Sequence, residues 1–265
     1  MDFKPKHIDI AMLGTNPLNN EALFAELLDV LESYPEFAPS FWSLQERGKL
    51  PYNSDDLINV VKGVTTNMTC QEIYLKRNKA PKYVGRIAVM PKQFINFEFD
   101  PKLNSKHYPT LFEFTDKLVK IFKPDIASMY IGPSNPVRPW ETKPEVNIAE
   151  INEATFLAPV DYFKVGPKGL AMRTYFGPHY VKQFGQALLM STPSTKTTLQ
   201  PWGGVRLDLS ETPWTLTEHK LVEHWQTAMT HLRSAKVFAE VEVYQNRMFK
   251  YKKAENCTIG GLNYV

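Results

Sequence analysis

Short runs of alternating apolar and polar residues mark the strands of the first half of the chain. Ile95, Phe97 and Phe99 alternate with polar neighbours, so one face of their sheet is expected to be buried and the other exposed to water. Turn residues such as Pro81 and Pro91 separate neighbouring runs. The strand-like runs cover residues 8–13, 72–77, 83–90, 94–99 and 126–131.

Helical spacing predicts two amphipathic helices between these strands. Asn20 is placed to cap the first, whose apolar stripe consists of Leu23, Phe24, Leu27, Leu28 and Leu31. Thr110 and Glu113 have the spacing of a capping box, which predicts the start of the second helix. That helix is expected to end at Phe122, because a proline follows shortly after.

Residues 170–243 contain the clearest mixture of patterns in the second half. Residues 175–180 are predicted to open a helix, and residues 202–209 to form a middle strand. A long helix is expected to begin within residues 215–218 and to lead into a strand at residues 237–243. The second half then has the predicted order β-β-α-β-α-β.

The order β-α-β-β-β-α-β of the first half predicts an α+β fold with mainly antiparallel sheets and helices packed on one face. A proline-rich connector at residues 133–147 is expected to separate a lobe of residues 1–132 from a lobe of residues 148–265. The similar order of elements raises the alternative of two related lobes, and a single integrated domain is also left open. The connector contains Pro133, Pro136, Pro139 and Pro144.

Composition favours a folded protein that does not bind nucleic acid directly. The hydrophobic share of 43% with 12% aromatic residues is ordinary for a globular chain and argues against disorder. The net charge of +3 arises from 31 basic and 28 acidic residues without a dense basic block. We therefore expect no direct nucleic-acid partner.

The termini and the cysteines favour a cytoplasmic location. The charged start of the chain lacks the apolar stretch of a secretory signal, and no apolar run is long enough to span a bilayer. Cys70 and Cys257 lie far apart and neither belongs to a Cys-x-x-Cys pair. The protein is predicted to be soluble and cytoplasmic, with no membrane partner.

Asp125, Glu141 and Lys143 spell a pattern found in restriction-endonuclease-like nucleases. Such a site uses acidic groups to hold a metal and a lysine to stabilise charge at the phosphate. Prolines on both sides of the Glu-x-Lys element argue against the sheet strand that would fix these side chains. A metal-dependent hydrolase or nuclease is kept as the alternative function.

Histidines of the second half are weaker candidates for a metal site or a catalytic site. His219 and Glu223 have helical metal-ligand spacing, whereas His224 and His231 are expected on another face. His179 lies in a predicted first helical turn and has no catalytic partner that the sequence identifies. Solvated or capping histidines are the favoured interpretation, so neither a metal nor a cofactor is predicted.

Tryptophans next to arginines are the strongest sign of a binding surface. Trp140 lies close to Arg138 and Glu141 in the connector, and Trp202 lies close to Arg206. Such pairs are typical anchors of protein interfaces, although both rings could instead pin loops to the core. The predicted partner-binding residues are Arg138, Trp140, Glu141 and Trp202, and no catalytic residue is predicted.

Three segments resemble the Immunity protein 52 family of bacterial toxin systems. They are Phe41-Trp42-Ser43-Leu44, Tyr175-Phe176-Gly177 and Trp202-Gly203-Gly204-Val205-Arg206-Leu207. That family is known as cytoplasmic antidotes that bind and block restriction-endonuclease-like DNase effectors, often delivered by type VI secretion. The resemblance implies an inhibitor without a reaction of its own, whose partner is a cognate protein toxin. Nuclease inhibitors commonly present an acidic face, whereas this chain is slightly basic.

Overall fold

The structure is a computed structural model that describes residues 1–14, 18, 20–67, 71–90, 93–133, 148–155, 159–245 and 248–259. It divides into two compact units, one formed by Ile8–Pro124 and the other by Met1–His7 together with Asp125–Val265. Of the predicted connector at 133–147, Pro133 alone lies within the described residues. The predicted lobe boundaries therefore stay a prediction.

An antiparallel sheet in the strand order β3-β2-β4-β5-β6-β1 forms the framework of the unit Ile8–Pro124. Its strands are β1 (Pro5–Leu13, which enters this unit at Ile8), β2 (Phe41–Ser43), β3 (Leu50–Pro51), β4 (Gln71–Arg77), β5 (Tyr83–Met90) and β6 (Phe94–Phe99). Its helices are α1 (Glu21–Ser33), α2 (Ser54–Asn67) and α3 (Tyr108–Phe122).

The starts of two helices test the sequence rules directly. Asn20 caps α1 as predicted, since its side-chain oxygen accepts hydrogen bonds from the amides of Ala22 and Leu23. The predicted capping box at Thr110 is wrong, because α3 already begins at Tyr108 and its cap residue makes no side-chain bond. Proline in the first turn of α3 favours the helical backbone without such a cap.

One face of this sheet is closed by aromatic packing. The Phe97 ring on β6 contacts the Phe114 ring on α3 at 5.8 Å, and Phe37 contacts the Phe114 ring at 5.4 Å. Phe37 also contacts Phe99 at 5.7 Å between ring centroids. Such tilted and edge-to-face pairs add to the free energy gained from apolar burial. The alternation predicted for residues 94–99 is confirmed, because Ile95, Phe97 and Phe99 are buried.

The second unit contains an antiparallel sheet in the order β7-β8-β10-β9 and a separate hairpin of β11 and β12. Its strands are β7 (Ile126–Pro133), β8 (Arg173–Phe176), β9 (Lys196–Leu199), β10 (Val205–Asp208), β11 (Glu240–Gln245) and β12 (Met248–Lys252). Its helices are α4 (Ile148–Thr155), α5 (Pro159–Val165), α6 (Pro178–Phe184), α7 (Gln186–Met190) and α8 (Glu218–Leu232).

The predicted element order β-β-α-β-α-β of the second half is wrong at its start, because the helices α4 and α5 come before β8 in the chain. Tyr175 and Phe176 belong to β8, and the following helix begins only at Pro178. The long helix is confirmed as α8, with Thr217 accepting a bond from the Lys220 amide at 3.2 Å. The mainly antiparallel α+β fold is confirmed for the chain as described.

Within the described part of the chain, no helix combines the length and the apolar character needed to cross a membrane.

Gly85 provides a test of the packing on the buried sheet face. A Cβ atom at this position would lie 2.8 Å from the Phe97 ring and 3.3 Å from Leu75 Cβ. Gly85→Ala should lower the free energy of unfolding by about 1–3 kcal/mol, because the ring is held by its neighbours. Urea denaturation measures the change.

Gly63→Ala is the matched control. This glycine lies inside α2, and a Cβ there would meet no atom within 4 Å. The substitution should raise stability by about 0.5–1 kcal/mol through helix propensity. Equal effects of the two substitutions would contradict the packing described for Gly85.

Candidate functional site

The second face of the sheet in Ile8–Pro124 is exposed in part, and we call the part around Val84 and Arg86 the open face. Val84 lies at the centre of a cross-strand row and is 41% exposed, although it belongs to a central strand. Directly opposite residues of antiparallel strands point to the same side of a sheet. From one strand to the next, the row runs through Pro51, Phe41, Lys76, Val84, Glu98 and Asp9.

An arginine held between aromatic rings lies in the adjacent part of the open face. Arg86 on β5 is directly opposite Tyr74 on β4, and its guanidinium lies 5.8 Å from the Tyr74 ring centroid. It also lies 5.3 Å from the Phe94 ring centroid. This arrangement fixes the guanidinium at the surface of a rigid sheet, with favourable cation–π contacts.

Glu72 connects the members of this cluster. Its Oε2 atom accepts hydrogen bonds from the Tyr74 hydroxyl at 2.7 Å and from Arg86 Nη2 at 3.0 Å. Burial favours a higher pKa for Glu72, but the bonds from Tyr74 and Arg86 outweigh it and lower the pKa. Glu72 therefore stays ionised at neutral pH and holds Arg86 in place. Aromatic and arginine side chains that are already ordered lose little entropy when a partner binds.

Two acidic residues lie opposite each other at the other end of the cross-strand row. Asp9 on β1 is directly opposite Glu98 on β6. Burial, and secondly the negative charge of Glu98, raises the pKa of Asp9 from 3.8 to about 7. The protonated Asp9 carboxyl is thus well populated at neutral pH, which reduces repulsion within the pair. The sequence analysis missed this pair, because the two residues become neighbours only through strand register.

Trp202 lies in the turn between β9 and β10, and this turn has a defined geometry. The Gly203 amide donates to the Gln200 carbonyl at 2.9 Å, and the Gln200 amide donates to the Gly204 carbonyl at 2.7 Å. Gly203 has a φ of +88°, which glycine adopts without strain. A Cβ atom on Gly204 would collide with the Trp202 ring, so the backbone of this turn approaches the ring closely. Trp202 is half-buried against its own turn, and its role in partner binding stays a prediction.

Arg206, the neighbour predicted to support Trp202, belongs to a buried ion group. Its Nε atom lies 3.0 Å from Asp208 Oδ2, while Arg173 Nε contacts Asp208 Oδ1. Asp208 is 1% exposed, so its charge needs both cations. Arg206 therefore has a structural partner in addition to its partly exposed position beside the turn.

Of the alternative hydrolase pattern, Asp125 lies within the described residues. Burial raises the pKa of Asp125 from 3.8 to about 6, and the charge of His179 opposes the rise. The other two residues of that pattern, Glu141 and Lys143, lie outside the described residues. His179 Nε2 lies 2.7 Å from the carbonyl oxygen of Thr258, which occupies this ring nitrogen.

Two of the histidines of α8, His224 and His231, contact backbone carbonyls. His224 Nδ1 contacts the carbonyl oxygen of Leu209, and His231 Nε2 lies 3.0 Å from that of Leu188. Glu223 is paired with Lys220 at 2.6 Å. Among the residues that the structure describes, no group of three or more His, Cys, Asp or Glu side chains could hold a metal ion.

Arg138, Trp140 and Glu141 lie outside the described residues, as does Cys70. Their predicted participation in a partner-binding surface stays a prediction. The open face is a surface that the sequence analysis did not identify. Its period-two alternation was visible in residues 94–99, but the residues that share the face come from strands far apart in the sequence.

Comparison with known proteins assigns no family to the chain. No protein-family model matches it, and no curated protein matches it. Among solved structures, it is similar to a type VI secretion system protein of Pseudomonas aeruginosa, with 15% sequence identity and a TM-score of 0.49. The match covers 86% of this chain and 83% of the other. A likeness this weak assigns neither a function nor a partner.

Asp9→Asn should stabilise the protein at high pH and not at low pH. The folded-state pKa of Asp9, about 7, lies above the usual value of 3.8, so stability is lost as pH rises through this interval. Relative to the unsubstituted protein, the free energy of unfolding of the variant should rise by about 3–4 kcal/mol between pH 4 and pH 8. Urea denaturation at both pH values measures the gain.

Asp29→Asn is the control for this experiment, because Asp29 is exposed on α1 of the same unit. Its effect should be similar at both pH values. An Asp9→Asn effect that does not change with pH would contradict the described environment of the carboxylate pair.

Proposed function

We propose that this protein is a cytoplasmic immunity protein that binds and neutralises a cognate effector toxin, a DNase delivered by type VI secretion. The resemblance of three sequence segments to the Immunity protein 52 family supports the choice of partner. The open face carries the structural argument, because it combines exposed apolar area with an ordered arginine and aromatic cluster on a rigid sheet.

The side chains of the open face suit a binding role better than a catalytic role. Arg86 forms an ion pair with Glu72 and lies over the Tyr74 ring. This arrangement can anchor a protein contact and provides no nucleophile. Asp9 and Glu98 are the closest approach to an acid and base pair on this face. The raised pKa of Asp9 has a sufficient cause in its burial beside Glu98.

The first test is whether a large secreted effector is encoded immediately upstream of this gene, and the second is co-expression of the chain with that effector. We expect the effector alone to kill the producing cells, and the pair to grow and to co-purify as a stable complex. Purified protein should also inhibit DNA cleavage by the effector in proportion to complex formation. Absence of both protection and binding would refute the immunity role.

A nuclease assay addresses the alternative function. The purified chain is incubated with DNA and Mg²⁺ or Mn²⁺, beside a Glu141→Ala variant. We expect no cleavage by either protein. Metal-dependent cleavage that disappears in the variant would replace the binding role with a hydrolase.

Trp140→Ala should weaken effector binding at least about tenfold, because an aromatic anchor beside an arginine often contributes about 2 kcal/mol or more. The nearby prolines limit the entropy lost when this segment is fixed. Isothermal titration calorimetry measures the affinity, and the melting temperature should be nearly unchanged.

The matched comparison is Trp202→Ala, at the tryptophan predicted to belong to the same partner-binding set. A Trp140→Ala variant that unfolds would identify Trp140 as a core residue. A stable variant with normal affinity would make the connector a linker only.

A further inference from the structure

A pocket of about 550 Å³ lies at one end of the open face. It is formed entirely by residues of the unit Ile8–Pro124, next to the turn that joins β4 and β5. The side chains on which the argument depends are Phe41, Lys49, Lys76, Lys82, Val84 and Glu98. A cavity of this volume can enclose several side chains of a bound segment.

Cations outnumber anions around this pocket. Its lining has four basic residues, which are the three lysines named above and Arg77, against Glu98 and Asp100, so four minus two leaves two positive charges. Arg77 Nη1 donates to the Ala38 carbonyl at 2.6 Å. Lys49 and Lys82 are exposed at the surface. An occupant with negative charge is therefore favoured.

Apolar surface accompanies these charges. Val84 is 41% exposed at the pocket, and Phe41 also contributes to its lining. Burial of this area by a partner would contribute about 25 cal/mol for each Å² removed from water. A purely ionic ligand would leave this contribution unused.

The edge of the sheet limits how a partner can bind. β3 contains two residues, one of which is Pro51, which lacks a backbone N–H donor. A short edge strand with proline is a poor template for an added strand. The occupant is therefore expected to use side chains in the pocket on the face, and not to extend the ladder.

Resting on the proposed function, we propose that this pocket binds an acidic segment of the partner protein in which carboxylates are interspersed with apolar side chains. Nucleic acid fits less well, because Glu98 and Asp100 would repel the continuous charge of a phosphate backbone. A peptide with spaced carboxylates can pair with the lysines while placing apolar groups at Val84 and Phe41.

The first experiment uses the cognate effector and charge reversal of the two exposed pocket lysines. The double variant Lys49→Glu/Lys82→Glu should lower effector affinity at least about tenfold, measured by calorimetry. The control is Lys117→Glu/Lys120→Glu, which makes the same change in net charge at exposed positions of α3. The control should bind within about twofold of the original protein, and melting curves verify that both variants fold.

The second experiment tests the pocket without the effector, by fluorescence anisotropy with three labelled probes. The probes are a short peptide of alternating Glu and Leu, the same peptide with Lys in place of Glu, and an oligodeoxythymidine. The acidic peptide should bind most tightly, and its affinity should fall in the pocket variant and with added salt. Equal binding of the Lys peptide, or tighter binding of the oligonucleotide, overturns the assignment.

The two experiments separate the two proposals. If the effector binds the protein and both double variants equally well, the pocket assignment is wrong and the immunity role stands. If the effector does not bind at all, the immunity role is wrong, and the peptide probes alone decide the chemistry of the pocket.

Discussion

Phe37, Phe97 and Phe114 hold the helical layer against one face of the sheet in the unit Ile8–Pro124. Successive residues of a strand point to opposite sides of the sheet. When one set of alternate residues packs in the core, the other set must therefore point to the opposite face. A shift of register by one residue would bring Val84 and Lys76 into the core and expose Gly85 and Leu75. The aromatic contacts therefore determine which side chains form the open face and how rigidly they are held.

The open face carries charge in an ordered arrangement. Glu72 fixes Arg86 near its centre, the carboxylates of Asp9 and Glu98 meet at one end of the row, and lysines gather around the pocket. A partner must place opposite charges against these charged positions, since a like charge at any of them opposes binding. Under the proposed function, the local excess of lysine around the pocket would favour an acidic region of the partner, whatever the sign of the charge elsewhere on the partner.

Sequence patterns predicted the elements that are governed by local rules. Asn20 caps α1 as predicted, whereas the capping box predicted at Thr110 is absent, because α3 begins earlier with a proline in its first turn. Tyr175 and Phe176 were predicted to open a helix but belong to β8, since short apolar runs do not distinguish the two structures. The Asp9–Glu98 pair and the lysine pocket depend on register between distant strands. A short sequence pattern contains no information about the register between distant strands.

The central claim is that the open face is where a partner binds, and hydroxyl-radical footprinting of the effector complex tests it most directly. In the free protein, Phe41, Tyr74 and Val84 are accessible to oxidation to different degrees, because they are exposed or half-buried. The account predicts that oxidation of these three side chains falls in the complex, while exposed residues of α3 react as before. Protection confined to α3, with unchanged oxidation of Phe41, Tyr74 and Val84, would contradict it.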